Sequence, residues 1–260
     1  MTNFLRAGLL VSSLFLLLTH APLCADDESG EDMYESAVQE HVQVTATRTN
    51  KRDIDIAAAV TAVDEDSILE LAPDVIAEML RGQPGAFFQQ TTPGQGIPII
   101  RGLKGSQVLH MVDGIRLNNA FFRNAPNQYL GLVDSFATQR VEVVRGSQGS
   151  LYGADAMGGV LNILTHEPNY NETHWQQEGR LYGSYDSVDK GWIISARTQG
   201  GKQGWGFTGG ASYQDHSDRT SGNGEKLSPS AYKSKAADLK FVVDTSDRSS
   251  LMLSACPLGM

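Results

Sequence analysis

Two arginines stand directly before a glycine, each at the end of an apolar run, in IIRG and VVRG. These residues are Arg101 and Arg145. A guanidinium group stays charged and forms paired hydrogen bonds with a carboxylate. A buried arginine therefore needs an anionic partner, because leaving the charge unpaired costs about 3–5 kcal/mol. The alternative is a pair of exposed arginines at two strand ends.

The other reactive residue types show no catalytic or metal-binding spacing. The Asp64-Glu65-Asp66 run lacks the glycine and the terminal glutamate of a calcium-binding EF-hand loop. No serine stands in GxSxG, and residues 136–168 contain no phosphate-binding glycine pattern. The histidines show neither an HExxH motif nor the spacing of a Cys/His cluster. The five considered are His41, His110, His166, His174 and His216. We therefore predict a protein that is not an enzyme and that holds no metal or cofactor.

A glycine-rich segment lies at the centre of the chain, where residues 136–168 read FATQRVEVVRGSQGSLYGADAMGGVLNILTHEP. Val141 and Val143 mark one short strand, and the mostly apolar run at residues 160–164, with the β-branched Val160 and Ile163, marks a second. Between the strands lie Gly146, Gly149, Gly153, Gly158 and Gly159. Glycine permits positive φ and close backbone approach, so we predict a tightly folded turn between the two strands.

A β-hairpin is predicted upstream, where residues 97–119 read IPIIRGLKGSQVLHMVDGIRLNN. A strand at residues 108–112 is followed by Asp113-Gly114 and by a second strand at residues 115–117. The Asp-Gly pair is typical of a two-residue type I′ turn.

IPIIRGLKGSQVLHMVDGIRLNN and VEVVRGSQGSLYGADAMGGVLNILT resemble the plug domain of TonB-dependent outer-membrane receptors, and the likeness extends over about residues 38–168. The resemblance implies an α+β plug domain of short strands and small helices at residues 47–168. The first antiparallel strands of an incomplete transmembrane β-barrel are then expected at residues 175–260. By the same resemblance, Arg101 and Arg145 lie inside the barrel and pair with carboxylates of its wall, as a lock between plug and barrel.

Apolar and polar residues alternate in five segments after residue 168, which is the inside-out pattern of a barrel in lipid. The predicted strands cover residues 179–185, 192–198, 207–214, 235–244 and 251–255. Short connections alternate with a long one, as periplasmic turns alternate with outer loops. The alternative is a soluble β-sandwich with one hydrated face.

The predicted strands are too few to close a barrel, since the smallest barrels have about eight and plugged transporters about 22. An open sheet edge cannot lie in hydrocarbon, because its backbone groups would be unsatisfied. We therefore expect a truncated N-terminal part of a receptor that does not transport by itself.

The N-terminal residues predict export. Residues 1–25 read as a cleaved signal peptide, with Arg6 before an apolar run that is too short to span a bilayer. A lipoprotein signal using Cys24 is a poorer match. Cleavage after Ala25 would leave Cys256 as the one cysteine, so no intramolecular disulfide is expected. Residues 26–40 form an acidic tail that is typical of disorder.

Residues 40–46 lie where the family carries its TonB box. By resemblance, this segment pairs with a strand of TonB, which an inner-membrane complex energises, through β-augmentation. The same alternating residues also suit an ordinary edge strand. The candidate TonB contacts are Glu40, His41, Val42, Gln43, Val44, Thr45 and Ala46.

The resemblance also implies that plug loops face the ligand. Aromatic rings, amides and an arginine suit an organic iron chelate or a porphyrin, although the same residues could pack on the plug or the barrel wall. The candidates are Gln95, Phe121, Phe122, Arg123, Asn127, Gln128 and Tyr129.

Two further elements are predicted before the hairpin. Residues 58–63 read as a strand. A helix is expected from Pro73, with Ile76, Met79 and Leu80 on one apolar face and Gly82 beyond its end.

The implied function is active uptake of a scarce ligand, a ferric siderophore, haem or cobalamin, across the outer membrane. The implied partners are TonB and outer-membrane lipid. The net charge of −9 argues against nucleic-acid binding. One alternative is a signalling receptor, for which about 15 residues before the TonB box are too few to form a domain. Another is a soluble periplasmic binding module.

Overall fold

The computed structural model describes residues 42–43, 51–52, 58–90, 92–117, 129–246, 249–256 and 258–259. These residues belong to one compact unit, residues 41–260, and form a lobe (residues 58–168) and a long sheet (residues 176–259). No helix within the described ranges has the length and apolar character needed to cross a membrane. The predicted signal peptide and acidic tail lie outside the described residues.

Over its described residues, the lobe consists of short strands, two α-helices and four 3-10 helices, preceded by a two-strand pair. In chain order the strands and α-helices are β1 (Val42–Gln43), β2 (Lys51–Arg52), β3 (Ala59–Asp64), α1 (Glu65–Leu71), β4 (Ala86–Gln89), β5 (Ile97–Ile100), β6 (Val108–Val112), β7 (Ile115–Arg116), β8 (Thr138–Arg145), α2 (Gly149–Tyr152) and β9 (Gly159–Thr165). The 3-10 helices cover Ile76–Leu80, Gly105–Gln107, Tyr129–Leu132 and Ser135–Ala137.

The two strands predicted around the glycine-rich segment form the centre of the lobe. β8 and β9 pair antiparallel in a sheet of order β3-β8-β9-β6-β7, in which β9 and β6 run parallel. Alternate valines of β8 face opposite sides, so Val143 packs into one apolar cluster and Val144 into another. The short helix α2 lies in the connection that was predicted as a turn.

The predicted hairpin is confirmed, and its turn is tied to β9. Asp113 and Gly114 have φ values of 49° and 76°, and a type I′ turn requires positive φ at both positions. The Asp113 carboxylate accepts hydrogen bonds from the Thr165 backbone nitrogen at 2.8 Å and from Thr165 Oγ1 at 2.6 Å.

The helix near Pro73 differs from the prediction. The chain forms α1 before Pro73, where the Asp64 carboxylate accepts a hydrogen bond from the Ser67 backbone nitrogen at 3.1 Å and caps the helix. Proline disfavours helical backbone at the preceding residue, so Pro73 follows this helix instead of starting the next one. The apolar residues that follow are buried as expected, on the 3-10 helix Ile76–Leu80.

The long sheet confirms all five strands predicted after the lobe, each with more residues than expected. Its main strands are β10 (Gln176–Asp186), β11 (Gly191–Lys202), β12 (Trp205–His216), β15 (Tyr232–Ser246) and β16 (Ser249–Ala255), in the antiparallel order β10-β11-β12-β15-β16. A small hairpin of β13 (Arg219–Thr220) and β14 (Lys226–Leu227) lies between β12 and β15, and β17 (Leu258–Gly259) pairs with β15. Within the described residues the sheet stays open, with β10 at one edge and β16 and β17 at the other.

The two faces of the long sheet have the polarity predicted for a barrel. Outward-facing apolar side chains are exposed, with Leu181 at 79% and Ile194 at 49%. Thr208, Ser212 and Lys240 on the opposite face are buried. A soluble sandwich would cover its apolar face, so this arrangement argues against that alternative.

One buried histidine of the lobe makes stability depend on pH. His110 lies in β6, and burial lowers its pKa to about 4 from an ordinary value of 6.5. Below pH 6.5 the unfolded chain binds a proton here that the folded chain does not bind until about pH 4. Stability is therefore lost as pH falls through this window. Going from about pH 7.5 to about pH 5, the group is expected to lower the free energy of unfolding by about 2 kcal/mol.

The test compares urea denaturation of the chain in detergent micelles at these two pH values. His110→Leu is expected to lose about 2 kcal/mol less on acidification than the unaltered chain. His174→Gln is the matched control, because His174 is exposed. An equal loss in the His110→Leu variant and the unaltered chain would contradict the assignment.

Candidate functional site

The predicted TonB contacts fall mostly outside the described residues. Only Val42 and Gln43 are described, and they pair antiparallel with Arg52 and Lys51. The segment is therefore extended at these two positions, as both interpretations of the sequence require. Glu40, His41, Val44, Thr45 and Ala46 lie outside the described residues.

The predicted ligand-facing residues are also only partly described. Gln95 lies in the turn between β4 and β5, is half-buried and accepts a hydrogen bond from Thr92 Oγ1 at 3.1 Å. Tyr129 begins the 3-10 helix Tyr129–Leu132 and is half-buried. The remaining candidates, Phe121, Phe122, Arg123, Asn127 and Gln128, lie outside the described residues.

The structure brings the two predicted lock arginines together. A Cβ added to Gly146 would lie 2.8 Å from Arg101 Nη1, so the Arg101 guanidinium covers the glycine that follows Arg145. Arg145 donates hydrogen bonds to Thr61 Oγ1 at 2.5 Å and to the Val60 carbonyl at 3.4 Å. Burial, and then the charge of Arg101, lower the pKa of Arg145.

Two neighbouring cations favour an anion beside them. Within the described ranges, no ion pair involves Arg101 or Arg145. The lock therefore stays a prediction, with its carboxylate partners expected in residues beyond those the structure describes.

The lobe is held to the long sheet by other charged side chains, and one of these is the buried Arg197. This residue lies directly opposite Gly210 on β12, and Gly210 lies opposite Asp238 on β15. The guanidinium crosses Gly210 and donates two hydrogen bonds to Asp238, at 2.6 and 2.9 Å. Its Nη2 also donates to the Phe136 carbonyl of the lobe at 3.2 Å. One arginine therefore joins two strands of the sheet to the lobe.

Gly210 makes this crossing sterically feasible. A Cβ at this position would lie 2.7 Å from Arg197 Nη2 and 2.9 Å from Arg197 Cζ. A side chain on the middle strand would therefore block the path between arginine and aspartate. The nearby Asp134 of the lobe is also buried, and burial raises the pKa of its carboxyl group.

A second contact joins the predicted hairpin turn to β15. Lys240 Nζ lies 3.1 Å from Asp113 Oδ2, and the Lys240 side chain is buried. The same carboxylate is fixed by Thr165, so the lysine meets an acceptor that is already oriented.

A third contact joins α1 to β10. Glu65 pairs with Arg180 of the sheet, and His166 Nε2 lies 3.1 Å from Glu65 Oε1. Burial works against ionisation of this carboxyl group, but the hydrogen bond and charge of His166, and then Arg180, keep the pKa of Glu65 below its ordinary value.

These contacts share a polarity that the sequence analysis did not identify. The lobe supplies carboxylates or a carbonyl, and the sheet supplies the cations Arg180, Arg197 and Lys240. The signal present in the sequence is a positively charged residue at an inward-facing polar position of three of the alternating strands, β10, β11 and β15. Ion pairs and hydrogen bonds can separate without covalent chemistry, so this interface suits a lobe that is fixed but releasable.

Aromatic residues concentrate near both ends of the outward face of the long sheet. At one end Trp205 lies 5.2 Å from Trp175 and 5.8 Å from Phe241, measured between ring centroids. At the other end Trp192 lies 4.9 Å from Tyr213. Exposed apolar side chains, such as Ile194, fill the strip between the two groups. The described residues contain no group of three or more His, Cys, Asp or Glu placed to hold a metal ion.

Comparison with known proteins agrees with this architecture. Residues 52–160 match the family model of the TonB-dependent Receptor Plug Domain. Over 158 residues the chain is 33% identical to a vitamin B12 transporter BtuB of Vibrio vulnificus, and the match covers 60% of this chain and 25% of that protein. Over 201 residues it is 30% identical to the vitamin B12 transporter BtuB of Photobacterium profundum, and the match covers 74% of this chain and 30% of that protein.

Solved structures show the same fold. The copper transporter OprC matches with a TM-score of 0.61 at 18% identity, over 76% of this chain and 30% of its own. The ferripyoverdine receptor of the Pseudomonas aeruginosa outer membrane matches with a TM-score of 0.58 at 18% identity, over 83% of this chain and 27% of its own. The chain thus spans less than a third of the length of these proteins. It contains the plug domain of the TonB-dependent receptors, followed by antiparallel strands that resemble part of the receptor barrel.

Proposed function

We propose that this chain is the N-terminal part of an outer-membrane receptor that takes up a scarce ligand with energy supplied through TonB. The observation that carries the proposal is the orientation of the long sheet, whose polar face covers the lobe while its apolar face is exposed. A strand that separates lipid from a polar interior has this polarity. An exposed apolar face of this extent otherwise marks a surface that some partner covers.

The aromatic groups support a position in a membrane. Trp205 and Tyr213 are eight residues apart on β12, about 26 Å along a strand with a rise of about 3.3 Å per residue. Outer-membrane barrels carry an apolar band about 25 Å tall between two aromatic girdles. Strand tilt shortens the height of the strip somewhat, and the remaining length still suits lipid. We assign export to the predicted signal peptide at residues 1–25.

Cobalamin is the first ligand to test. Both sequence relatives described above are vitamin B12 transporters by name, whereas the siderophore and copper receptors resemble this chain in fold alone. Ferric siderophores and haem remain the other ligand classes in the proposal. Cyanocobalamin, ferric enterobactin and haemin are suitable probes, with binding measured through quenching of tryptophan fluorescence.

The TonB contact gives a direct test of the proposal. An immobilised periplasmic domain of TonB is expected to retain the purified chain in detergent. Val44→Pro is expected to weaken retention about tenfold, because proline removes a backbone donor from the pairing strand. Glu35→Pro is the matched control, since it places the same residue in the acidic tail outside the candidate contacts.

Fractionation of cells that express the chain completes the test. The proposal expects the chain in the outer membrane, whereas a periplasmic binding module would be released with the soluble periplasm. Equal retention of the Val44→Pro and Glu35→Pro variants would contradict the TonB assignment. Release with the periplasm would contradict the membrane assignment.

A further inference from the structure

The base of the longest connection in the long sheet is tightly fixed. This connection, residues 217–231, joins β12 to β15. Asp218 Oδ1 accepts hydrogen bonds from the backbone nitrogens of Ser230 at 2.8 Å and Ala231 at 2.9 Å. These bonds, with those from Ser217 and Thr220 to the turn between β10 and β11, hold both ends of the connection in one place. The hydrogen bonds from Ser230 and Ala231 lower the pKa of Asp218.

Four side chains at this base form a connected group that we name the outer clamp: Asp189, His216, Arg219 and Tyr232. Asp189 accepts hydrogen bonds from the Gly191 backbone nitrogen at 2.7 Å and from His216 Nδ1 at 3.1 Å. Asp189 and His216 are both buried. The His216 ring stacks on the Tyr232 ring, with centroids 4.5 Å apart and planes 5° apart.

The outer clamp touches the lobe at two separate points. Arg219 Nη2 donates to Asp74 Oδ2 at 2.6 Å. The Tyr232 ring packs against the turn at residues 92–96, where a Cβ added to Gly94 would lie 3.0 Å from the ring. Gly94 has a φ of 71°, so this turn depends on glycine and passes closely beneath the aromatic ring. The next residue in the turn is Gln95.

The contact between Arg219 and Asp74 places a positive charge beside two carboxyl groups of the lobe. Asp74 lies beside Glu78, whose Oε2 accepts a hydrogen bond from the Asp74 backbone nitrogen at 3.1 Å. Burial, and then the Asp74 carboxylate, raise the pKa of Glu78. Arg219 supplies positive charge from the sheet to this acidic pair of the lobe. A displaced connection would therefore withdraw the Arg219 cation from the lobe. It would also pull on the adjoining Tyr232, the first residue of β15, and so withdraw an aromatic ring from residues 92–96.

We propose that the outer clamp positions the turn at residues 92–96, and with it Gln95, so that this turn moves together with the connection at residues 217–231. Tyr232 is the positioning residue for the turn, and Arg219 fixes the clamp to the lobe. The use of this arrangement in ligand binding rests on the function proposed above. The positioning itself depends only on the contacts between sheet and lobe.

A single-cysteine reporter measures the position of the turn directly. Gln95→Cys is introduced together with Cys24→Ser and Cys256→Ser, and the rate of labelling by a maleimide is measured for the whole chain in detergent. Tyr232→Ala is expected to raise this rate about tenfold, because the turn loses its aromatic contact and opens more often. Tyr232→Phe keeps the ring and is expected to stay within about twofold of the parent. Tyr185→Ala is the matched control, because Tyr185 is exposed near the same end of the sheet.

A second variant keeps the proposal falsifiable if Tyr232→Ala does not fold. Arg219→Gln changes a side chain at the start of the connection and is expected to raise the labelling rate about threefold, through loss of its charged contact with Asp74. Rates that match the Tyr185→Ala control in both variants would overturn the proposal. If the rates rise as expected but cyanocobalamin, ferric enterobactin and haemin all fail to bind, the positioning is upheld and the ligand assignment fails.

Discussion

Replacing Arg197 with alanine is expected to lower the free energy of unfolding by about 3–5 kcal/mol, the cost of leaving a buried charge without its partner. The Arg197 side chain is 7% exposed and that of Asp238 is 12% exposed. The change removes both hydrogen bonds to Asp238 and the hydrogen bond to the Phe136 carbonyl. The lobe and two strands of the sheet lose a shared attachment.

Graded substitutions separate charge from geometry at this site. Arg197→Lys keeps the positive charge but cannot form the paired contact across Gly210, so an intermediate loss of about 2 kcal/mol is expected. Gly210→Val should approach the effect of Arg197→Ala, because its side chain would occupy the path of the guanidinium. Lys202→Ala is the control, since Lys202 is exposed at the end of β11, the strand that carries Arg197.

The measurement is urea denaturation of the chain in detergent, followed by tryptophan fluorescence and by protease sensitivity of the lobe. Earlier unfolding of the lobe in Arg197→Ala than in Lys202→Ala would support the attachment. A difference of less than about 0.5 kcal/mol between these two variants would mean that the contact contributes nothing beyond an ordinary surface residue.

Replacing Gly159 with alanine is expected to destabilise the lobe by about 3 kcal/mol, because the new methyl group would overlap a backbone atom. A Cβ at this position would collide with the Val144 carbonyl oxygen and would lie 3.1 Å from Ile100 Cγ2. Gly159 is the first residue of β9 and pairs with Arg145, the last residue of β8. The neighbouring strand cannot retreat without breaking this ladder, so the overlap is costly to relieve.

Hydrogen exchange in β8 and β9 provides the measurement for this second change. Gly159→Ala should accelerate exchange in both strands, and the accompanying loss of stability should appear in urea denaturation. Gly222→Ala is the matched control, because a Cβ there would meet nothing within 4 Å. Protection of β8 and β9 equal to that of the control would show that the strands absorb the methyl group.

Local patterns in the chain were sufficient to predict most strands. The Asp113-Gly114 pair predicted a turn whose geometry is almost independent of its surroundings, since two successive positive φ values suit few other residues. Alternating polarity predicted the five strands of the long sheet and the face that covers the lobe. The signals for α1 are also local, with Asp64 as its cap. The sequence predicts that Pro73 starts a helix, whereas this proline lies just beyond the end of α1.

The predicted site was recovered only in part. The position of Arg101 and Arg145 before glycine predicts a shared role, and the structure brings the two side chains together. Gln95 lies on the turn beneath Tyr232, a contact that no local pattern indicates. The attachments through Arg180, Arg197 and Lys240 were missed because their partners lie far away in the sequence.

The amino-acid sequence by itself determined where strands form, which of their faces is apolar, and where the backbone needs glycine, because each depends on residues a few positions apart. Only the tertiary structure decided which charges meet. Arg197 and Asp238 are 41 residues apart, and they become partners because strand register places both opposite Gly210. A shift of one residue in either pairing would turn the side chain to the other face of the sheet, so the attachment of the lobe is a property of register that composition and spacing do not contain.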